Sequence, residues 1–142
     1  MRCTDNKMKF PAELRMLSFT KRGDERGALV ALEGGRSVPF DIQRVYYIYA
    51  TQPDVARGFH AHKRLKQVLI AVSGSVSIRC EYGLKKETIL LDSPEKGLYI
   101  EGMVWHEMHD FSPDCVLMVL ASDYYDEADY VRDYEEFKRA QI

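Results

Sequence analysis

The stretch that most constrains the fold is residues 57–74, which read RGFHAHKRLKQVLIAVSG. Here His60 and His62 are separated by a single small residue, and a mostly apolar run follows them. Alternate side chains of a β-strand point to opposite faces, so the two imidazoles are expected to point to the same side. The apolar run favours the interior of a β-sandwich or barrel over a solvated face. Imidazole titrates near neutral pH, so the pair is a candidate for acid–base catalysis or metal binding.

Short alternating segments recur along the chain, with Gly and Pro turns between them. Residues 115–121 form an apolar run that suits a buried central strand, and a longer strand is predicted over residues 40–49. This spacing predicts an all-β sandwich or barrel. From about residue 127 the apolar positions recur at helical spacing, which predicts one C-terminal amphipathic helix packed on the sheet.

Composition narrows the setting in which such a chain works. The 142 residues correspond to one domain, and a net charge of −2 gives no electrostatic case for a nucleic-acid partner. The three cysteines lack CxxC spacing, which favours reduced thiols. No apolar run reaches the roughly 18 residues that a membrane span requires, and the polar N-terminus lacks the core of a signal peptide. We therefore expect a cytoplasmic protein whose residues 1–12 are loosely ordered.

The order of the histidines is typical of one particular β fold. The HxH pair, Gln67, Gly74 and a late third histidine, His106, resemble the cupin pattern. Metal cupins usually have glutamate where this chain has Gln67, and a neutral amide oxygen is a weaker ligand for a transition metal. Three histidines alone can still hold zinc, so a metal-dependent cupin enzyme remains an alternative. The expectation is a site without metal or other cofactor.

A closer resemblance extends from about residue 26 to residue 134. The stretches RVYYIY, RGFHAHKRLKQVLIAVSGSV, DSPEKGLYI, VWHEMHDF and CVLMVLASDYYDEADYVRDY closely match the sugar 3,4-ketoisomerases of nucleotide-linked 4-keto-6-deoxy sugars, which are WxcM-like members of the RmlC-like cupin superfamily. The resemblance implies a cupin-type jelly roll (a double-stranded β-helix) over residues 1–142, with a short C-terminal α-helix. It also implies a homodimer in which N-terminal strands cross between subunits.

The same resemblance implies the substrate and the site. The substrate is dTDP-4-keto-6-deoxy-D-glucose, and the 3-keto product serves the biosynthesis of 3-amino-3,6-dideoxy sugars. Taken alone, Tyr46 is more typical of a core tyrosine and Arg44 of a surface arginine. The family pattern instead implies His60, His62 and Tyr46 as catalytic residues. Substrate-binding roles fall to Arg44, Arg57, Arg26, His106 and Lys66.

The chemistry of this reaction suits these residue types. The C3 proton lies next to the C4 ketone, so a histidine base can remove it to give an enediolate, and a proton returned to C4 leaves the carbonyl at C3. Arginine binds phosphate oxygens at two points. Relatives that make the axial C4 hydroxyl tend to have arginine at the position of Arg26 and histidine at that of His106, which predicts dTDP-3-keto-6-deoxy-D-galactose. A 3,5-epimerase-like enzyme and a non-catalytic sugar-binding cupin are the remaining alternatives.

Overall fold

Two five-stranded sheets pack face to face in the computed structural model, which describes residues 10–141. The strands are β1 (Ala12–Ser18), β2 (Lys21–Asp24), β3 (Gly27–Val30), β4 (Arg44–Ile48), β5 (Arg57–His62), β6 (Lys66–Ser73), β7 (Val76–Tyr82), β8 (Lys85–Leu91), β9 (Lys96–Gly102), β10 (Trp105–His109), β11 (Val116–Ala121) and β12 (Tyr130–Val131). Helix α1 (Tyr134–Arg139) follows them.

The strand order is that of a jelly roll. The first sheet runs β1-β9-β6-β11-β4 and the second runs β12-β5-β10-β7-β8, while β2 and β3 form a separate hairpin. Strands β4 to β11 alternate between the two sheets except at the β7–β8 hairpin, which lies within the second sheet, and this order is typical of a jelly roll. The prediction of an all-β jelly roll with one short C-terminal helix is therefore confirmed.

The main hydrophobic core lies between the two sheets. It is supplied by alternate side chains of the facing strands, among them Leu69, Ile78, Leu98 and Val119, none of which is exposed. Strand β11 lies between β6 and β4 in the first sheet, which agrees with the prediction of a buried central strand over residues 115–121. A rigid double sheet of this kind holds the side chains of β4, β5, β6 and β10 at fixed separations.

The strand predicted over residues 40–49 is shorter than expected. It begins only at Arg44, and Phe40 lies in the loop before it. The Phe40 ring centroid lies 6.3 Å from that of Tyr99, on the outer face of the first sheet. The reason lies in the backbone: Phe40 N–H donates to the carbonyl of Val38, and the Phe40 carbonyl accepts from Gly35 N–H. These bonds close a local turn and leave no ladder for a strand.

The C-terminal segment also differs from the prediction of one helix from about residue 127. A short 3₁₀ turn covers Glu127–Asp129, strand β12 follows, and the helix itself begins at Tyr134. Two N-caps divide the segment, because the carboxylates of Asp126 and Asp133 accept backbone N–H groups from Ala128 and Glu135. The helical spacing of the aromatic residues therefore corresponds to a helix only from Tyr134 onward.

The ends of the chain bear on several predictions. Most of the segment predicted to be loosely ordered, residues 1–12, falls on Met1–Lys9. These nine residues, Cys3 among them, lie outside the described range. Beyond them, the Pro11 carbonyl accepts the Met103 N–H at 2.7 Å. Cys80 and Cys115 are buried free thiols. No helix within residues 10–141 is long and apolar enough to cross a membrane.

Candidate active site

Three histidines meet where β5 and β10 pair. His60 lies opposite His106 in the antiparallel register, and the centroids of their rings are 4.7 Å apart. The His62 ring centroid lies 5.0 Å from that of His60 and 6.1 Å from that of His106. The HxH spacing thus places both imidazoles on one side of β5, as strand alternation predicts. One ring nitrogen from each histidine lies within 4.8 Å of one from each of the others.

A bulge at the start of β5 makes this approach possible. The register between the two strands shifts beside Glu107, and Gly58 and Phe59 both have positive φ, at 95° and 60°. A Cβ built on Gly58 would lie 3.0 Å from the carbonyl oxygen of His106. Glycine is therefore needed here both for its conformation and for its lack of a side chain.

One histidine of the cluster, His60, faces an open cavity of about 350 Å³. Its walls carry two phenols, one imidazole and three guanidinium groups. The polar and aromatic residues of the wall are Arg44, Tyr46, Arg57, His60, Tyr130 and Arg132. His62 and His106 are each only 1% exposed and lie behind this wall. His60 is therefore the histidine within reach of a molecule in the cavity.

Burial holds two rings of the cluster, those of His60 and His106, in the neutral form. Burial, followed by the neighbouring charge of His62, lowers the pKa of His60 to about 4. Burial also holds the pKa of His106 well below its usual value. The Nδ1 of His106 lies 3.0 Å from the Val104 carbonyl, which can only accept, so Nδ1 carries the proton and Nε2 the lone pair. That Nε2 is buried and has no partner among the described residues.

Tyr46 and Gln67 form the next layer of the site. The Tyr46 hydroxyl donates to Oε1 of Gln67 at 3.4 Å. Burial raises the pKa of Tyr46 to about 12, so the phenol stays neutral and keeps its proton to donate. Because Oε1 of Gln67 accepts from Tyr46, one of its two lone pairs is already engaged. The described residues therefore supply three imidazoles, but the carboxylate that is the fourth ligand of a metal cupin is not among them.

Asp129 contacts His62, which is one of the two buried members of the cluster. Its Oδ2 lies 3.0 Å from His62 Nδ1, and its Oδ1 accepts the backbone N–H of Arg64 at 2.9 Å. Close by, the Tyr130 ring centroid is 4.4 Å from that of His62, and the Arg132 guanidinium lies 4.2 Å from the centre of the Tyr130 ring. Asp129, Tyr130 and Arg132 were not predicted as site residues, because the periodicity of their segment indicated a helix. The two aspartates that cap the turn and the helix, Asp126 and Asp133, were the available signal.

The structure brings most, but not all, of the predicted site residues together. Tyr46, Arg44, Arg57, His60, His62 and His106 lie in or directly behind the cavity wall. Arg26 does not, because it lies at the turn of the β2–β3 hairpin, where its guanidinium pairs with Asp24. Lys66 also lies apart: its neighbour Gln67 faces the site, so strand alternation directs the Lys66 side chain to the opposite face.

Comparison with known proteins gives consistent relatives. Residues 12–141 match the family described as "FdtA: WxcM-like, C-terminal". A curated TDP-4-oxo-6-deoxy-α-D-glucose-3,4-oxoisomerase from Aneurinibacillus thermoaerophilus is 54% identical over 127 residues, which cover 89% of this chain and 91% of that protein.

Solved structures agree. The sugar 3,4-ketoisomerase QdtA of Thermoanaerobacterium thermosaccharolyticum, solved with TDP, has a TM-score of 0.88 and 46% identity over 90% of this chain and 94% of its own. A variant of it with one histidine changed to asparagine was solved with TDP-4-keto-6-deoxyglucose. A double variant, with one tyrosine changed to arginine and one arginine to histidine, is 48% identical to this chain. The TDP-quinovose 3,4-ketoisomerase WlaRB of Campylobacter jejuni is 50% identical, with a TM-score of 0.85, over 89% of this chain and 97% of its own.

Proposed function

The chain belongs to the WxcM-like family of sugar 3,4-ketoisomerases, and we propose that it moves the carbonyl of dTDP-4-keto-6-deoxy-D-glucose from C4 to C3. The observation that carries the proposal is that one cavity gathers an imidazole, a neutral phenol and three guanidinium groups. Relatives solved with TDP and with the 4-keto sugar support the choice of substrate.

We propose that His60 is the base. It faces the cavity and is neutral near pH 7, so it can take the C3 proton, and the C–H electron pair then forms the enediolate with the C4 carbonyl. The same proton is then delivered to C4 while the proton of the C3 hydroxyl moves to the C4 oxygen, so the carbonyl ends at C3, C4 carries a hydroxyl, and atoms and electrons balance. Tyr46 donates its hydrogen bond to the oxygen on which charge develops.

The arginines suit the nucleotide end of the substrate. Nε of Arg44 is buried and has no hydrogen-bond partner among the described residues, so this donor is available to an anion. Arg57 lines the same cavity and is exposed. Planar guanidinium groups bind phosphate oxygens at two points, and we propose that Arg44 and Arg57 bind the diphosphate.

We further propose that the product is dTDP-3-keto-6-deoxy-D-galactose. Identity to QdtA rises from 46% to 48% when that enzyme gains an arginine and a histidine, as expected if these two coincide with Arg26 and His106. His106 is part of the histidine cluster. Arg26 is remote from the cavity of its own chain, so we propose that it reaches the cavity of a second subunit.

The axial C4 hydroxyl has a mechanistic meaning. In the gluco chair the C3 hydrogen is axial, and an axial C4 hydroxyl places the new C4 hydrogen on the same face of the ring. One base can therefore remove the first proton and deliver the second. The equatorial product would need a proton donor on the opposite face.

One incubation tests these proposals. The protein is mixed with dTDP-4-keto-6-deoxy-D-glucose in D₂O, and the product is identified by NMR. The expected product has its carbonyl at C3 and a small H4–H5 coupling. A large coupling would overturn the galacto product, exchange confined to C5 would indicate an epimerase, and an unchanged substrate would indicate a binding protein only.

Chelation tests the metal-dependent alternative. We propose catalysis without metal, since Gln67 directs its oxygen to Tyr46 and since His60 needs a free lone pair to act as the base. Protein treated with EDTA should keep its full rate. A loss of activity that zinc, iron or manganese restores would refute this part of the proposal.

We also propose that the chain works as a single cupin domain and as a homodimer with N-terminal strand exchange. The hairpin of β2 and β3 supports this, because all residues of β2 and three of the four in β3 are exposed, as if lacking a partner. A cytoplasmic location stays a prediction.

A further inference from the structure

His62 is held by a carboxylate that is itself fixed in place. Asp129 Oδ2 lies 3.0 Å from His62 Nδ1, and its Oδ1 accepts the Arg64 N–H at 2.9 Å. The Asp129 backbone carbonyl accepts the N–H of Lys63 at 2.8 Å, and the next residue, Tyr130, pairs with His62 in the β-ladder. The carboxylate thus bonds both to His62 and to the backbone that directly follows β5, and it cannot turn without breaking these bonds.

This arrangement determines which nitrogen of His62 carries the proton. Partial burial acts to raise the pKa of Asp129, but its hydrogen bonds with His62 and with the Arg64 N–H outweigh this and lower it. An ionised carboxylate can only accept, so Nδ1 of His62 must donate. With Nδ1 donating to Asp129, Nε2 is the ring nitrogen of His62 that can present a lone pair. That atom is buried and has no partner among residues 10–141.

The neighbouring His60 also has a ring nitrogen without a hydrogen-bond partner among the described residues. Its Nδ1 is also buried and also has no partner in the described part of the chain. The two rings lie 5.0 Å apart, edge to face at 86°. A buried donor and a buried acceptor that both lack a partner are costly, and catalytic hydrogen bonds are often long in the free enzyme and shorten when substrate binds.

We propose that Asp129 is a positioning residue, which keeps the Nε2 lone pair of His62 free to accept the Nδ1–H of His60 when His60 removes the C3 proton. The inference rests on the proposed function. The C3 proton goes to Nε2 of His60 and later returns to C4, while the Nδ1 proton stays on His60 throughout. Asp129 and His62 stabilise the buried imidazolium by this charge-assisted hydrogen bond, without touching the sugar.

Asp129→Asn is the sharpest variant, because the site needs two acceptors and asparagine has one. The Arg64 N–H retains the amide oxygen, which leaves the NH₂ group facing Nδ1 of His62. His62 must then accept at Nδ1 and carry its proton on Nε2, where it opposes the Nδ1–H of His60. We expect kcat to fall about 10²-fold, the order associated with general acid–base catalysis, with KM little changed.

Two comparisons separate positioning from general damage. Asp126→Asn is the matched control: it lies in the same turn, caps Ala128 and makes no hydrogen bond to a histidine, and asparagine is an equally good N-cap. It should keep the wild-type rate. Adding His62→Asn to Asp129→Asn should cause little further loss, because both changes act through one ring. Full additivity of the two losses would overturn the inference.

A second readout is independent of turnover. The ¹⁵N chemical shifts of His62 in the labelled protein should report a protonated Nδ1 in the wild type and a protonated Nε2 in Asp129→Asn. A wild-type His62 with its proton on Nε2 refutes the positioning role, as does a variant that keeps its kcat. A wild-type protein that fails to convert the keto sugar refutes the proposed function instead, and the NMR result alone then decides the placement of the proton.

Discussion

His60 and His62 are separated by one residue, yet they occupy different environments. His60 lines the cavity, whereas His62 is 1% exposed and bonded to Asp129. We expect His60→Asn and His62→Asn each to lower kcat by about 10²–10⁴-fold, the range for general acid–base catalysis, with the larger loss at His60. The matched control is His109→Asn, since His109 pairs with Glu107 and does not line the cavity. A His60 variant with near wild-type kcat would exclude it as the base.

The environment of His60 also determines how kcat/KM depends on pH. Its pKa is lowered to about 4, chiefly by burial and then by the charges of His62 and Arg132, with Glu127 acting in the opposite direction. A base must be unprotonated, so activity is lost as the pH falls through this pKa. We expect kcat/KM, which reports the free enzyme, to be level above about pH 5 and to fall near pH 4. An acid limb close to the ordinary histidine value of 6.5 would contradict the burial argument.

At the scale of the element, the β5 bulge is what brings the histidines of β5 against β10. Gly58 has φ of 95° and faces the His106 carbonyl, so Gly58→Ala must push the two strands apart. We expect this variant to lose both thermal stability and kcat. The matched control is Gly83→Ala, where φ is also positive, at 58°, but nothing lies within 4 Å of the added Cβ.

This control separates the strain of a positive φ from the steric clash between the two strands. Gly83→Ala should lower the free energy of unfolding by roughly 1 kcal/mol, the conformational cost of a non-glycine residue at positive φ, and should leave kcat unchanged. The two variants are compared by thermal melting and by turnover of the keto sugar. If Gly58→Ala melts and turns over like Gly83→Ala, then the close approach of the strands does not matter.

Elements with a strong period were predictable from the sequence, and those decided by local hydrogen bonds were not. Strand β11 and the shared face of His60 and His62 follow from alternation alone. The length of β4 does not follow from alternation, because the turn around Phe40 depends on the carbonyl to which the Phe40 N–H donates. The split of the C-terminal segment by two aspartate caps hid Asp129 for the same reason. A carboxylate that meets a histidine 67 positions away leaves no periodic signal.

At the scale of the whole molecule, one apolar face of the first sheet is only partly covered: Ile70 is buried, but Tyr47 and Val72 are exposed. Tyr47 lies opposite Met118, and Met118 lies opposite Ile70, in a row across β4, β11 and β6. Ile70 and Met118 then line an apolar cavity of about 350 Å³ together with Leu29 of the hairpin and Val72. We refer to Tyr47, Met118, Ile70, Val72 and Leu29 as the outer apolar face. A contiguous face of this kind marks an interaction site, and a second copy of the chain is the occupant that the family resemblance predicts.

The homodimer is therefore expected to form through the outer apolar face, and light scattering should give twice the 16.4 kDa mass of the chain. Val72→Glu places a charge on this face, where Val72 is 40% exposed, and should shift the mass toward that of the monomer. Leu84→Glu is the matched control, because Leu84 is fully exposed at the β7–β8 turn and its exchange should leave the dimer intact. If Arg26 acts in the partner's cavity, the Val72→Glu monomer should also lose activity, and dilution of the wild type below its dimerisation constant should reproduce that loss. A wild-type mass near 16.4 kDa at micromolar concentration, with full activity, would refute both the dimer and the shared site.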